Sequence, residues 1–304
     1  MPQQLLNGNL SASLMLEQHQ PATWRCGRFL FDFAKRQRPV IMGILNATPD
    51  SFSDGGKFRS PKDAIAQAER MIANGVDIID IGGESTRPGA EPISLQEELD
   101  RVLPVIDGLQ DCGVALSIDT YKAETMRQAL KAGVDCVNDI WALRQAGAVD
   151  AILENSSCGI VLMHMQRDPQ TMQFDPEYED VIAEVMQFLS ERANYLVNKG
   201  VEKDRIALDP GFGFGKSLEH NLNMLSNFDT FSKLNYPVLA GISRKSMIGK
   251  VTGKDTKERV AASVAAAVMA ADRGANIIRV HDVPETVDAI KLWEAIQQYQ
   301  LPKH

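Results

Sequence analysis

Short segments that are apolar at almost every position recur along the chain from residue 40 onwards. Eight of them are long enough to form a buried strand: Val40–Asn46, Val76–Gly83, Ala115–Thr120, Cys136–Ile140, Gly159–Met165, Ile206–Gly211, Pro237–Ser243 and Asn276–Asp282. Because apolar residues do not alternate with polar ones, the pattern predicts parallel strands that are covered on both faces.

The segments between these strands have a helical period. After the first strand, one face of a predicted helix carries apolar residues at Ala64, Ile65, Ala68, Met71 and Ile72. Four helices are predicted to end at Asn74-Gly75, Ala132-Gly133, Lys199-Gly200 and Arg273-Gly274. Eight strand–helix pairs in ~260 residues predict an α/β protein that forms a (β/α)8 TIM barrel. A doubly wound parallel sheet is the alternative.

The amino-terminal part of the chain has a different pattern. Residues 1–23 show no period, which predicts a mobile tail. Apolar and polar residues alternate over residues 25–33, which predicts a short hairpin or lead-in strand. No linker follows, so residues 24–304 are predicted to form a single barrel domain.

Composition narrows the classes of partner and location. A net charge of -8 argues against nucleic acid, although a few focused cations can still bind a small anion. The four cysteines form no CxxC pair, which is typical of reduced thiols in a cytosolic protein. No basic residue precedes Arg25, so a secretory signal is not indicated. The longest apolar stretch, Val260–Ala271, is too short to span a bilayer. We therefore predict a cytoplasmic protein without a membrane segment.

Polar side chains stand at the carboxyl end of every predicted strand. They are Asn46, Glu84, Ser85, Asp119, Asn138, Asp139, His164, Asp209, Ser243, Arg244, Lys245, Arg279 and His281. A single Asp at such a position more often caps the following helix. The whole set is not explained in this way, because a barrel gathers its strand ends on one rim, where active sites lie.

The chemistry of these residues divides into two groups. Carboxylates, an amide and a cation come from Asp119, Asn138, Asp209 and Lys245. Such groups can pair with the amino-pyrimidinone edge of a flat heterocycle. Positive charge for an anion comes from Arg87, Arg279 and His281. The sequence therefore predicts a heterocyclic ligand that carries phosphate.

Two glycine-containing features bear on ligand binding. The long loops Thr48–Ser60 and Gly82–Pro92 follow the first two strands and are interpreted as lids. The segment Gly211–Ser217 is not a P-loop, because Pro210 occupies the position of the first required glycine. We interpret it as a close approach of backbone to ligand, with Phe214 as a flat apolar face. His164 is either a core histidine or a ligand contact.

Five segments resemble the signatures of the bacterial dihydropteroate synthases, in the same order. They are Ile44–Gly56, Asp80–Gly89, Asp209–Lys216, Ser243–Ser246 and Arg279–Val283. The resemblance extends over residues 25–298. It implies a homodimeric TIM barrel and a transferase of folate biosynthesis, the target of sulfonamides. Such an enzyme joins 6-hydroxymethyl-7,8-dihydropterin pyrophosphate to p-aminobenzoate and uses Mg²⁺.

The resemblance also implies roles for individual residues. The pterin pyrophosphate would contact Thr86, Asp119, Asn138, Ile140, Met163, Asp209, Gly213, Phe214, Lys245, Arg279, Val280 and His281. The p-aminobenzoate pocket would be lined by Phe52, Thr86, Pro88, Phe214, Ser243 and Lys245. Catalytic roles would belong to Asp119, Lys245, Arg87, Arg279, His281 and Asp54, of which Asp54 helps the two loops to close. Asn46 would bind the Mg²⁺.

The chain departs from the family at three positions, Ala47, Tyr121 and Ala123, none of which removes a ligand group. Because no nucleophile–base pair is present, we expect an SN1-like displacement in which the site stabilises the departing pyrophosphate. Two rivals share the pterin-binding groups. One is a pterin-binding barrel for corrinoid methyl transfer, and the other is a non-catalytic pterin-binding homologue.

Overall fold

Eight parallel strands form the centre of the protein, for which a computed structural model describes residues 23–48, 60–85, 91–166 and 176–299. Their bounds are β3 Val40–Asn46, β4 Ile78–Gly82, β5 Ala115–Asp119, β6 Cys136–Asp139, β7 Gly159–Met163, β8 Ile206–Asp209, β9 Leu239–Ala240 and β10 Ile277–Val280. Each lies within one of the eight predicted apolar segments. An antiparallel hairpin of β1 Thr23–Cys26 and β2 Phe29–Asp32 precedes them.

The eight strands form a nearly closed ring. Seven neighbouring pairs follow the order β8-β7-β6-β5-β4-β3-β10-β9. The remaining gap is bridged by a parallel contact of Leu208 with Val238, and the Leu208 amide donates to the Pro237 carbonyl at 2.8 Å. The predicted (β/α)8 barrel is therefore confirmed, and the doubly wound alternative is wrong.

Helices connect successive strands. Their bounds are α1 Pro61–Ala73, α2 Leu95–Leu109, α3 Ala123–Lys131, α4 Ala148–Leu153, α5 Val181–Asn198, α6 Leu218–Ser226, α7 Ser246–Thr252, α8 Val260–Asp272 and α9 Val283–Gln297. Short 3-10 helices lie at Lys203–Arg205, Phe228–Leu234 and Thr256–Glu258. Among the helices of the described ranges, none is both long and apolar enough to cross a membrane.

Local sequence explains where several helices begin and end. Ser60 and Asp63 form a reciprocal capping box at the start of α1, where Pro61 needs no amide donor. The four predicted helix-terminal glycines have positive φ: Gly75 at 89°, Gly133 at 97°, Gly200 at 98° and Gly274 at 86°. This left-handed conformation ends a helix at little cost only for glycine.

The main core lies between the barrel and its helices. In α1, Ala64, Ala68 and Met71 are buried, and Ile65 and Ile72 pack beside them, as the helical period predicts. A barrel whose strands are covered in this way keeps its carboxyl ends in fixed relative positions. The polar residues that follow the strands are thereby held on a rigid frame.

The hairpin closes the amino-terminal end of the barrel. Trp24, Cys26 and Phe31 pack against the first residues of most strands. These residues include Val40, Ile78, Ala115, Cys136, Leu239 and Ile277. The Trp24 indole also donates to the Arg205 carbonyl at 3.0 Å. The predicted hairpin is confirmed, and β1 begins one residue before the predicted start of the barrel domain. The rest of the predicted tail, residues 1–22, lies outside the described residues.

Candidate active site

Arg279 joins two buried carboxylates at the carboxyl end of the barrel. From β10, its Nε donates to Asp80 Oδ2 and its Nη2 donates to Asp119 Oδ2, each at 2.6 Å. Asn138 Nδ2 donates to the same Asp80 oxygen at 3.0 Å. The strands β4, β5, β6 and β10 thus contribute one polar side chain each to a single network, although β3 lies between β4 and β10.

This network is electrostatically unusual, because one guanidinium serves two carboxylates. Burial raises the pKa of Asp119 to about 7, an effect that Arg279 opposes and the charge of Asp80 reinforces. Within the described residues, Asp80 Oδ1 and Asp119 Oδ1 are buried without a hydrogen-bond partner. Buried polar atoms are rarely left unpaired, so these oxygens are candidates to accept hydrogen bonds from a ligand.

Asp209 and Lys245 form a second charged group on the same rim. Asp209 is buried at the end of β8, and its Oδ1 accepts from the Gly211 amide at 2.7 Å. Burial raises its pKa, whereas that backbone contact and the charges of Lys245 and Arg279 lower it. Burial and the charge of Arg279 lower the pKa of Lys245 to about 8. Asp209, Lys245 and Arg279 are therefore close enough for the charge of each to affect the pKa of its neighbours.

Apolar side chains provide a wall beside these charges. Ile140, Met163, Met165 and Phe214 form one buried cluster, against which Tyr121 and Trp141 pack. Lys245 Nζ lies 4.0 Å from the centroid of the Phe214 ring. A flat aromatic molecule could pack on this wall while its polar edge reaches the carboxylates.

The segment after β9 directs Ser243 and Lys245 in one direction and Arg244 in another. Arg244 has φ 57°, its amide donates to Ser263 Oγ at 2.9 Å, and its guanidinium pairs with Asp282. Ser243 Oγ instead lies 3.1 Å from His281 Nδ1 and accepts from the His281 amide. Ser243 thereby orients the His281 ring.

The remaining predicted contacts also follow strand ends. Gly213 has φ 79°, and a Cβ there would stand 3.2 Å from Lys245 Cδ, so only glycine suits the position. Val280, which follows Arg279 and precedes His281 in the sequence, is buried. Asn46 ends β3 opposite Gly82 and is partly exposed.

Other predicted positions are not brought into this site or cannot be located. The Asp139 carboxylate accepts from the Trp141 and Leu143 amides at 2.7 Å, so it stabilises the following turn. His164 pairs with the buried Lys216 and is a core histidine. Five predicted residues lie outside the described ranges: Phe52, Asp54, Thr86, Arg87 and Pro88.

Asp80 is a site residue that the sequence analysis missed. It stands inside an apolar strand and is fully buried, between Arg279 and Asn138. A charged residue in the middle of a buried strand needs a buried partner, and this signal could have found it. Tyr121 is one of the departures from the family. Its hydroxyl donates to Glu84 Oε1 at 2.6 Å and so connects the loop after β5 to the loop after β4.

Comparison with known proteins supports one family. The family model of pterin binding enzymes matches residues 42–281. A dihydropteroate synthase from Haemophilus influenzae is 48% identical over 260 residues, which are 84% of this chain and 94% of the relative. One from Escherichia coli is 49% identical over 258 residues, covering 84% and 91% of the two chains.

Solved structures agree with this match. The Burkholderia cenocepacia dihydropteroate synthase in complex with 7,8-dihydropteroate has a TM-score of 0.83 and 51% identity, and the likeness covers 91% of this chain and 97% of that one. The Xanthomonas albilineans enzyme with 4-aminobenzoic acid has a TM-score of 0.85 and 46% identity, covering 92% and 100%. The chain therefore belongs to the family of pterin-binding enzymes, as a member of the dihydropteroate synthases.

Proposed function

We propose that the protein is a dihydropteroate synthase of folate biosynthesis. It joins the amino nitrogen of p-aminobenzoate to the CH2 carbon of 6-hydroxymethyl-7,8-dihydropterin pyrophosphate. The C–O bond to pyrophosphate breaks, the C–N bond forms, and the amine loses a proton. The relative in complex with 7,8-dihydropteroate holds the product of this reaction and supports the proposal.

The observation that carries the proposal is the pair of buried carboxylates beside an apolar wall. Asp119 and Asp209 would accept the N–H groups of the pterin edge, and Lys245 would donate to its carbonyl. Asn138 would add an amide contact. Met163, Ile140 and Phe214 would pack on the ring. The unpartnered Asp119 oxygen is what such a ligand would satisfy.

Displacement requires stabilisation of the leaving group, because an aryl amine is a weak nucleophile. Arg279 and His281 stand at the end of β10, and Arg87 would join them around the pyrophosphate. The electron-rich pterin can carry positive charge at its CH2 carbon, and the carboxylate of Asp119 favours that charge. These features support an SN1-like step without a covalent enzyme intermediate.

A magnesium ion fits this site only in company with the substrate. Asn46 offers one oxygen ligand, and the described residues contain no group of three or more acidic, histidine or cysteine side chains that could hold a metal. Mg²⁺ is commonly bound by a few protein oxygens together with substrate phosphates and water. We propose that Asn46 holds a Mg²⁺ that arrives with the pyrophosphate and neutralises part of its charge.

A direct assay tests the activity. Dihydropteroate and pyrophosphate should appear in equal amounts when the protein is incubated with both substrates and Mg²⁺. Binding of a pterin without any product would instead indicate a non-catalytic homologue. Methyl transfer to a corrinoid acceptor would indicate the other rival.

Pterin recognition should depend on pH through Asp119. Its raised pKa, about 7, means that the free protein holds a proton there at lower pH. A protonated carboxyl accepts fewer hydrogen bonds, so pterin affinity should fall as the pH is lowered from 7 to 5. Over this range Lys245, whose pKa is about 8, already carries its proton. Calorimetric titration with 6-hydroxymethylpterin measures this. A constant affinity over that range would show that Asp119 is not an acceptor for the pterin.

The order of binding supplies another prediction. If Thr86, Pro88 and Phe52 line the p-aminobenzoate pocket, pyrophosphate and Mg²⁺ should raise the affinity for p-aminobenzoate, because Asn46 and Arg87 would bind them beside the same loops. Arg87→Ala should abolish this coupling and leave bare pterin binding nearly intact. Equal affinities of the unmodified protein with and without pyrophosphate and Mg²⁺ would mean that the pocket is preformed.

We propose a cytoplasmic homodimer, a state supported by exposed apolar residues on the packed helices α8 and α9. Met269, Leu292 and Ile296 are exposed at 50%, 64% and 55%. Sedimentation should give a particle of about twice 33.5 kDa at micromolar concentration. Met269→Glu should shift it towards the monomer, whereas Leu30→Glu, on the hairpin, should not. A 33.5 kDa species of the unmodified protein would refute the dimer.

A further inference from the structure

The turn that follows β8 has a backbone that needs support. Gly211, Gly213 and Gly215 all have positive φ, at 74°, 79° and 60°. The segment is neither helix nor strand, so it lacks their regular ladders of hydrogen bonds. It nevertheless has to hold Asp209 and Phe214 at the ligand wall.

Lys216 ends this turn and is itself buried, at 4% exposure. Its Nζ lies 3.0 Å from the Gly211 carbonyl oxygen, 3.0 Å from the Phe214 carbonyl oxygen and 2.9 Å from His164 Nδ1. An ammonium group has three N–H donors, and three acceptors surround it at good distance. The carbonyl of His164 lies further away, at 3.4 Å.

The partner histidine must be neutral. Because the ammonium can only donate, His164 Nδ1 must accept, and the ring proton then resides on Nε2. Burial and the charge of Lys216 lower the pKa of His164 to about 2, which agrees with this assignment. Phe188 packs edge-on against the His164 ring at 5.0 Å and keeps it in place.

The carbonyls that Lys216 holds belong to the turn that shapes the pterin wall. The Gly211 amide donates to Asp209, while the Gly211 carbonyl accepts from Lys216. The Phe214 carbonyl accepts from Lys216, while its ring lies against Lys245 Nζ. One ammonium therefore binds the backbone of Gly211, whose amide donates to Asp209, and the backbone of Phe214.

Charge couples the same groups. Burial lowers the pKa of Lys216 to about 7, although Asp209 raises it; Lys245 adds to the lowering. In return, Lys216 is one of the cations that lower the burial-raised pKa of Asp209. The charged and titratable groups around Lys216 and its partner His164 are Asp209 and Lys245, with Arg144 acting on His164 from the loop after β6. Tyr178 also packs on the His164 ring, and its hydroxyl donates to the Gly215 carbonyl at 2.9 Å.

We propose that Lys216 is a positioning residue for pterin binding, whose ammonium ties the Gly211–Phe214 turn to His164 and so holds Asp209 and Phe214 in place. The inference rests on the proposed pterin-binding function. The segment Gly211–Ser217 is not a P-loop, and the proposal gives its lysine a role that does not involve nucleotide binding.

Lys216→Met tests the inference, because it keeps most of the length of the side chain and removes the ammonium. Affinity for 6-hydroxymethylpterin should fall about 10-fold or more, since small displacements of ligand-positioning groups are costly. In the assay, the loss should lie mainly in kcat/KM for the pterin substrate. KM for p-aminobenzoate should change less, because Phe214 is the one residue of this turn that would also line that pocket. The acid limb of that kcat/KM profile should move to higher pH, because Asp209 loses a supporting cation.

Two further variants keep the test decisive. Lys250→Met removes an exposed lysine on α7 and should change none of these quantities. His164→Phe removes the acceptor but keeps a ring, and it should weaken pterin binding in the same direction; it decides the matter if Lys216→Met does not fold. Pterin affinity within twofold of the unmodified protein, with an unshifted acid limb, would overturn the proposal. Because pterin binding is measured directly, an unmodified protein that binds pterin but forms no product would contradict only the proposed activity.

Discussion

Asp209→Asn should lower kcat/KM for the pterin substrate on the order of 100-fold or more without unfolding the protein. The amide oxygen of Asn can still accept from the Gly211 amide, which Asp209 contacts at 2.7 Å, so the turn after β8 is kept. The other carboxylate oxygen is replaced by an NH2 group. That NH2 group would face the N–H donors of the pterin edge. Two buried donors that face each other both lack an acceptor, which is costly.

The comparison with a surface variant isolates this effect. Asp288→Asn, on the exposed side of α9, makes the same change of charge away from the site and should leave kcat/KM unchanged. Thermal unfolding followed by circular dichroism should give similar midpoints for both variants. Near-normal activity of Asp209→Asn together with a loss of several degrees in Tm would show that Asp209 serves only to stabilise the turn.

Arg279→Met should have large effects on both stability and activity. Arg279 is the cation that bridges Asp80 and Asp119, each at 2.6 Å, and both carboxylates are buried. Removing one partner of a buried ion pair leaves an uncompensated charge, at a cost of about 3–5 kcal/mol in the free energy of unfolding. Activity should fall by about 100-fold or more, because a developing negative charge loses its guanidinium.

A second substitution separates these two consequences. Adding Asp80→Asn to Arg279→Met removes one of the two buried carboxylates that have lost their cation. Part of the lost stability should therefore return, while activity stays low. Arg70→Met, an exposed arginine of α1, is the control and should cost less than about 0.5 kcal/mol. Urea unfolding measures all three variants. A free energy of unfolding for Arg279→Met within 1 kcal/mol of the unmodified protein would argue that the carboxylates do not depend on Arg279.

The barrel could be predicted because its signal is local and repeated. A strand covered on both faces must be apolar at nearly every position, and each of the eight strands lies within a segment of that kind. The ends of the strands were predicted less accurately. The segment Pro237–Ser243, for example, contains only the two-residue strand Leu239–Ala240. At its amino end, the Val238 amide donates to the Asn276 side chain at 3.0 Å instead of to a strand carbonyl, so part of its pairing depends on a residue 38 positions away.

Most of the side chains on this rim could be predicted from the sequence, but Asp80 and the pairing of Arg279 could not. Strand-end position and the family resemblance both indicated Asp119, Asn138, Asp209, Lys245 and Arg279. Neither indicated that Arg279 also binds Asp80, since that residue lies 199 positions away in the chain. A pairing over such a distance depends on how strands adjoin in the closed ring.

The sequence by itself determined the succession of strands and helices, the glycines that end helices and the chemical types gathered on one rim, because each follows from neighbouring residues. Only the tertiary structure decided how the hairpin, His164 and Asp139 are used. The hairpin closes the barrel end, His164 supports a buried ammonium and Asp139 caps a turn. The roles of the hairpin and of His164 depend on which distant groups are near enough to exclude water from a contact, and closure of the barrel sets those distances. Asp139 binds amides only two and four positions further along the chain, and for this residue the structure decides between a cap and a ligand contact.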